Sequence, residues 1–246
     1  MKRFNAIAAV VGGAFALAAA PAGATSVFFG LDNSDLSGGG ARPNATAAQA
    51  AFALAAGALL TEDFESTAVG PVPSSFDIGG VTGTFTSTAT SYSRIFAGVE
   101  PSYSTYPASG THYLDSLTQR DSTYFTVDFD TPLRALGFYI TDASDWAGSP
   151  PGTIANLQVT LYRGTDTEVL DLFGGLDVTT VVNANFAFFG VVDAGAPITG
   201  ISIANPASNP DADAIGIDDV QIAPVPLPPA AALLLPGLAL LRRRRS

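Results

Sequence analysis

Strict alternation of apolar and polar residues recurs through the middle of the chain. FTVDF (125–129), ALGFYI (135–140), NLQVTLY (156–162) and GISIA (200–204) each carry an apolar residue at every second position. A period of two puts one face of each segment against a core and the other toward water, so each is predicted as a half-buried β-strand. NFAFFGVVD (185–193) is apolar on both faces and is predicted as a central strand. Between these runs lie PVPSS, DASDWAGSPPG, RGTDTE, DAGAP and NPASNPDAD, all built from turn-forming residues. About nine or ten short strands without long helices between them predict an all-β protein, an antiparallel β-sandwich of about 160 residues spanning 62–222.

Ahead of this region the texture differs. Residues 25–43 (TSVFFGLDNSDLSGGGARP) are rich in Gly, Ser and Asp and read as an irregular lead-in. NATAAQAAFALAAGALL follows, in which Asn44 or Thr46 can cap a short alanine-rich helix and Gly57 weakens its end. Residues 25–61 therefore form a lead-in carrying one short N-terminal helix.

The two ends read as an address. Residues 1–24 begin with Lys2 and Arg3, continue in an apolar stretch from Ala6 to Ala20, and close with Pro21, Ala22 and Ala24. This is the layout of a secretory signal peptide cleaved after Ala24 by signal peptidase. Residues 223–246 hold Val225, Pro226, Leu227 and Pro228, then an apolar run, then Arg242, Arg243, Arg244 and Arg245. Val225–Leu241, 17 residues, would span about 25 Å as a transmembrane helix, the lower limit for a bilayer. The arginine cluster would stay on the cytoplasmic side.

That three-part tail resembles the VPLPA variant of the PEP-CTERM sorting signals of Gram-negative bacteria, with Pro229 where the family has alanine. The resemblance implies processing by an exosortase, a transient stay in the inner membrane, and delivery to the cell surface or extracellular matrix. In the body, TEDFES, GFYITDASDW and AIGIDDVQI resemble segments of the jelly-roll domains such sorted proteins carry. The DFE and DDV bookends are also similar to MAM-type and carbohydrate-binding jelly rolls, which implies a jelly-roll β-sandwich with its first and last strands side by side.

Charge and composition narrow the chemistry. With residues 1–24 and the terminal arginines removed, five arginines stand against 22 acids, a net charge of −17. Such a surface repels nucleic acid and attracts cations. The chain has no cysteine, so export gives it no disulfide framework and no Cys metal site. His112 is the sole histidine and no nucleophile elbow or Walker loop is present, so the chain is read as a non-enzyme with no catalytic residues.

Two constellations stand out. Asp63 and Glu65 in TEDFE, with Asp218 and Asp219 in IDDV, offer hard oxygen donors without His or Cys, which suits Ca²⁺. In IDDV, Ile217 and Val220 are apolar at a spacing of three, and a β-bulge at Asp218–Asp219 would absorb that slip and turn both carboxylates toward one point. The second constellation is Trp146 with Asp142 and Asp145 beside it, near a Tyr-rich stretch holding Tyr92, Tyr103, Tyr106 and Tyr113. A flat aromatic face with neighbouring acids is what a saccharide site uses, which suggests extracellular polysaccharide as a partner. The expected role is thus a structural or adhesive surface protein, calcium-stabilised, with a carbohydrate-binding module as the alternative.

Overall fold

The computed structural model describes residues 25–37, 39–87, 91–118, 122–143, 157–174, 181–193, 195–205 and 213–226. Its elements are β1 (Thr25–Asp32), α1 (Pro43–Ala56), β2 (Leu60–Glu62), β3 (Gly70–Pro71), β4 (Ser75–Ile78), β5 (Val81–Ser87), β6 (Ser91–Ala97), β7 (His112–Thr118), β8 (Ser122–Thr141), β9 (Gln158–Arg163), β10 (Asp166–Asp171), β11 (Phe186–Asp193), β12 (Ile198–Asn205) and β13 (Asp213–Pro224). Every strand pairing among them is antiparallel.

The 20-residue β8 organises the fold. Its first half pairs with β5 and β12, extending through β9 to β10. Its second half pairs with β11 and β13, and that sheet extends to β1 on one side and through β7 and β6 to β3 on the other. The two sheets face each other. Phe125 and Ile203 from one and Leu114, Leu136 and Ile217 from the other line a common apolar cavity of about 30 Å³, room for about one water. The protein is an all-β antiparallel sandwich of jelly-roll type with one short helix near its start.

Two predicted strands, FTVDF and ALGFYI, are therefore one. Thr131–Pro132 between them reads as a break, yet it falls where β8 exchanges partners, and there a missing N–H costs no ladder bond. The reading of 25–43 as irregular also differs from the structure, because 25–32 form β1, paired with β11 over eight positions. Both faces of β1 are in use, Phe28 toward α1 and Phe29 and Leu31 toward the core, so it lacks a period-two signature. β11 is the central strand expected, covered on one face by the opposite sheet and on the other by α1.

α1 sits close because the strands beneath it lack side chains there. Phe52, fully buried, lies over Gly137 and Gly190, which are cross-strand partners. A Cβ on Gly190 would meet Phe52 at 2.6 Å, and one on Gly137 would meet Phe188 at 2.9 Å. Neither Asn44 nor Thr46 caps the helix. The N-cap is Arg42, Pro43 opens the first turn, and the carboxylate of Asp32 at the end of β1 accepts the N–H groups of Asn44 (3.0 Å) and Ala45 (2.9 Å). A cap supplied from a neighbouring strand leaves no local sequence signal.

The folded unit begins and finishes at one rim. Thr25 opposes Asp193, Val192 and Ala223 both oppose Ala135, and Pro224 opposes Leu133. Val225 donates its N–H to the carbonyl of Pro132 at 2.9 Å. No helix among the described residues is long and apolar enough to cross a membrane; most of the apolar tail, with Leu227, Pro228 and Arg242–Arg245, lies outside them.

Candidate functional site

The bookend carboxylates do come together. β2 pairs with β13 so that Glu62 opposes Val220, which places the DFE and IDDV segments side by side. The β8–β13 register shifts between Asp218 and Gln221, the bulge expected from the Ile217–Val220 spacing. Asp219 at the bulge has φ +47° and Phe64 in the facing segment has φ +57°, both in the left-handed region that non-glycine residues rarely enter.

What these acids hold is a loop. Residues 98–111, between β6 and β7, fold back over the outer face of the sheet. Asp218 Oδ2 accepts the N–H groups of Ala108 (2.8 Å) and Ser109 (3.1 Å), and its Oδ1 accepts that of Asp219 (2.7 Å). Ser109 Oγ donates to Asp219 Oδ1 at 3.0 Å. Glu65 Oε1 accepts the N–H groups of Thr111 and His112, each at 2.6 Å, and Oε2 accepts the Thr111 hydroxyl at 3.0 Å. Asp63 Oδ1 accepts the N–H of Glu65 at 3.1 Å, closing its own turn. Further along the loop, Tyr106 stacks on Phe186 and donates its hydroxyl to the carbonyls of Ala184 and Asn185. Arg42 lies 3.9 Å over the Phe186 ring and donates to the carbonyl of Ala108.

Burial pushes the Asp218 carboxyl up to about 8, with the charge of Asp219 adding to the rise and the N–H donors opposing it. Asp219 is raised too, by burial and then by the charges of Asp63 and Glu65. Glu65 is lowered by the N–H groups of His112 and Thr111. The four acids thus form one electrostatic cluster. Among the described residues, no group of three or more His, Cys, Asp or Glu side chains is arranged to hold a metal ion, because the carboxylates point at backbone donors more than at a shared centre.

The saccharide constellation is only partly described. Asp145 and Trp146 lie outside the described residues. Asp142 is turned inward, 2% exposed, with Oδ1 accepting the N–H of Ala184 at 2.6 Å. Tyr106 and Tyr113 are buried, and Tyr113 shares hydroxyl bonds with Thr105. Tyr92 and Tyr103 are exposed. On β6, Arg94 lies between the rings of Phe96 (4.3 Å) and Tyr92 (5.8 Å). Its Nε donates to the buried Asp115 at 2.8 Å, and its Nη2 is 3.5 Å from Glu100. This Tyr–Arg–Phe row carries its alternate side chains on the outward face of β6. The spacing in SYSRIFA contains it, but the surrounding tyrosines mask which ones reach the surface.

His112, the lone histidine, stands beside Glu65 through its main chain, and no Ser or Thr hydroxyl among the described residues is bonded to its ring. The cavity between the sheets is lined by apolar side chains alone and offers no polar group to a substrate.

No protein-family model matches the chain, and neither does any curated protein. Among solved structures, it is similar to the K2 cleaved adhesin domain of Lys-gingipain, at 13% identity and a TM-score of 0.40 over 68% of this chain and 98% of that one. The CBM22-1 xylan-binding domain of Paenibacillus barcinonensis Xyn10C gives 17% identity and 0.33 over 70% and 98%. A cyclase from Fischerella sp. TAU gives 12% and 0.37 over 68% and 95%. These likenesses assign no activity to this chain.

Proposed function

We propose that the protein is a non-enzymatic jelly-roll protein, exported by its N-terminal signal, sorted at the inner membrane by an exosortase, and resident at the cell surface or in the extracellular matrix as a structural or adhesive component. The observation that supports the domain's part of this reading is how its carboxylates are used. Asp218 and Glu65 hold the 98–111 loop, Asp32 holds α1, Asp142 holds the approach to β11, and Asp193 closes the turn at Gly195 and Ala196. Acids committed to backbone N–H groups build a rigid body; a glycoside hydrolase of the usual kind needs two of them facing a cleft.

Calcium belongs to this reading at the β2–β13 corner. Asp63, Glu65 and Asp219 are not gathered on one centre as they stand, so a cation there would have to draw them together, and in doing so it would offset the charges of Asp63 and Glu65 that add to the burial raising Asp219.

One observation favours the carbohydrate-binding alternative: the exposed Tyr92, with Arg94 and Phe96, offers ring faces and a guanidinium on one strand. A glycan array with residues 25–246 separates the two, together with fractionation of the native host. Recovery from the surface fraction with a blank array supports the structural role. A polysaccharide hit abolished by Tyr92→Ala replaces it with the binding module. Turnover in a screen of glycosidase, esterase and peptidase substrates would overturn both.

A further inference from the structure

The end of β13 limits how the sandwich can stand relative to the tail that follows it. β13 lies between β8 and β7, so the chain leaves from the middle of its sheet and not from an edge. Pairing holds through Pro224, which opposes Leu133, and the Val225 N–H is bonded to the Pro132 carbonyl at 2.9 Å. Val225 and Pro226 are exposed and have already left the body. The apolar run counted from Val225 begins at that point, and Pro226, Pro228 and Pro229 fix φ at three of its first five positions. No Gly or Ser stands between Ala223 and Pro229, so the sequence provides no flexible spacer there.

The rim around that exit is shallow. The links that reach it are Gly79–Gly80 between β4 and β5, Gly164–Thr165 between β9 and β10, 194–197 between β11 and β12, and 57–59 between α1 and β2. Asp77 accepts the N–H of Gly80 at 2.9 Å and Asp130 that of Thr82 at 3.0 Å, which keeps carboxylates in these turns. Turns with carboxylates do not enter hydrocarbon, but a surface without projecting loops can abut a headgroup layer. The other end of the sandwich is far off. Ala214 opposes Leu117, which opposes the exposed Tyr92, and from Ala214 to Pro224 β13 rises about 33 Å.

We propose that, while the tail is in a bilayer, this rim faces the lipid headgroups and the sandwich stands with its strands upright, held so by the shortness of the chain between body and tail. The partner is a lipid surface, and no affinity of the rim for lipid is needed. The proposal rests on the reading of 223–246 as a sorting signal that enters the membrane. It sets Val225 and Pro226 at the bilayer surface and turns Tyr92 away from it.

The chain has no cysteine, so Thr165→Cys, Ala58→Cys and Tyr92→Cys each give one site for a fluorophore, and all three positions are exposed. Thr165 lies in the hairpin of one sheet, and Ala58 follows the helix on the outer face of the other. Residues 25–246 of each variant are reconstituted into phosphatidylcholine vesicles, with and without a lipid spin-labelled at its headgroup. Fluorescence should be lost to the spin label at Thr165→Cys and Ala58→Cys and kept at Tyr92→Cys. Inserting about twenty Gly/Ser residues between Val225 and Pro226, an r.m.s. reach of about 25 Å, should restore it at both rim positions. Loss at Tyr92→Cys equal to that at the rim, or loss at the rim that the insertion leaves unchanged, overturns the proposal. Should Ala58→Cys not fold, Thr165→Cys against Tyr92→Cys decides. A chain that does not float with the vesicles fails in a different way: it removes the membrane reading of the tail, and the proposal with it.

Discussion

Asp218 and Ala108, 110 residues apart in sequence, are joined by a hydrogen bond of 2.8 Å from the Ala108 N–H to the Asp218 carboxylate. The same side chain takes the N–H groups of Ser109 and Asp219, so one 1%-exposed carboxyl organises three backbone donors. Asp218→Ala is expected to cost roughly 3 kcal/mol or more, since donors buried at the loop base lose their acceptor. Chemical denaturation measures the loss. A cost under about 1 kcal/mol would mean the loop is held elsewhere.

For the calcium proposal, the midpoint of thermal unfolding should be higher in calcium than in EDTA. Binding only the folded state stabilises by about 2.7 kcal/mol when the ion stands at ~100 times its Kd. Asp219→Ala should remove the difference. A wild-type midpoint indifferent to EDTA ends the proposal, and an equal shift in Asp219→Ala moves the ion to another place.

Gly190→Ala should destabilise by roughly 1–3 kcal/mol, because the added methyl meets the Phe52 ring at 2.6 Å in a packed layer. The double change Gly190→Ala with Phe52→Leu should recover part of the loss, as a smaller side chain relieves the contact. Denaturant melts of the two variants check this, and no recovery would place the cost in β11 itself.

Asp32→Ala removes the cap of α1 and should cost about 1–2 kcal/mol. Hydrogen exchange should show the effect first at Asn44 and Ala45, whose N–H groups the carboxylate accepts. Unchanged protection there would count against the cap.

Asp193 gives the sign of one pH response. Burial raises its carboxyl, but the N–H groups of Ala196 and Gly195, then Arg163 and Thr25, outweigh this and leave it below the usual value. A depressed acid contributes stability above its unfolded value of about 3.9, and that stability is lost as pH falls through the folded value. Below about pH 4, the wild type should therefore lose stability more steeply than Asp193→Asn. Parallel curves in that window would sink the assignment.

Some of this was readable in the sequence because it is local. The slip from Ile217 to Val220 announces a bulge by its spacing alone, and the unbroken apolar run of Phe186–Val192 announces a strand covered twice. What escaped is held at a distance. The partners of Asp218 and Glu65 are backbone N–H groups, which every residue carries, so no residue type marks Ala108, Ser109 or Thr111 as their partners. The cap of α1 comes from another element, and Gly137 and Gly190 read as weak points in strands until Phe52 is seen lying on them. Asp142, expected to face a ligand, differs from a surface acid only in the fold around it.

If the protein is held by its C-terminal end, as the proposed sorting implies, the shared rim at which Thr25 and Pro224 sit has a mechanical meaning. Tension entering at Val225 runs along the axis of β13, which is hydrogen-bonded over its length to β8 and, in turn, to β7 and β2. Pulling a strand lengthwise between its neighbours loads the ladder bonds together in shear, whereas peeling an edge strand breaks them singly. β1, the weaker edge, lies three positions away at the same rim and is spared that load. A tether attached there would use the strongest direction the sandwich has.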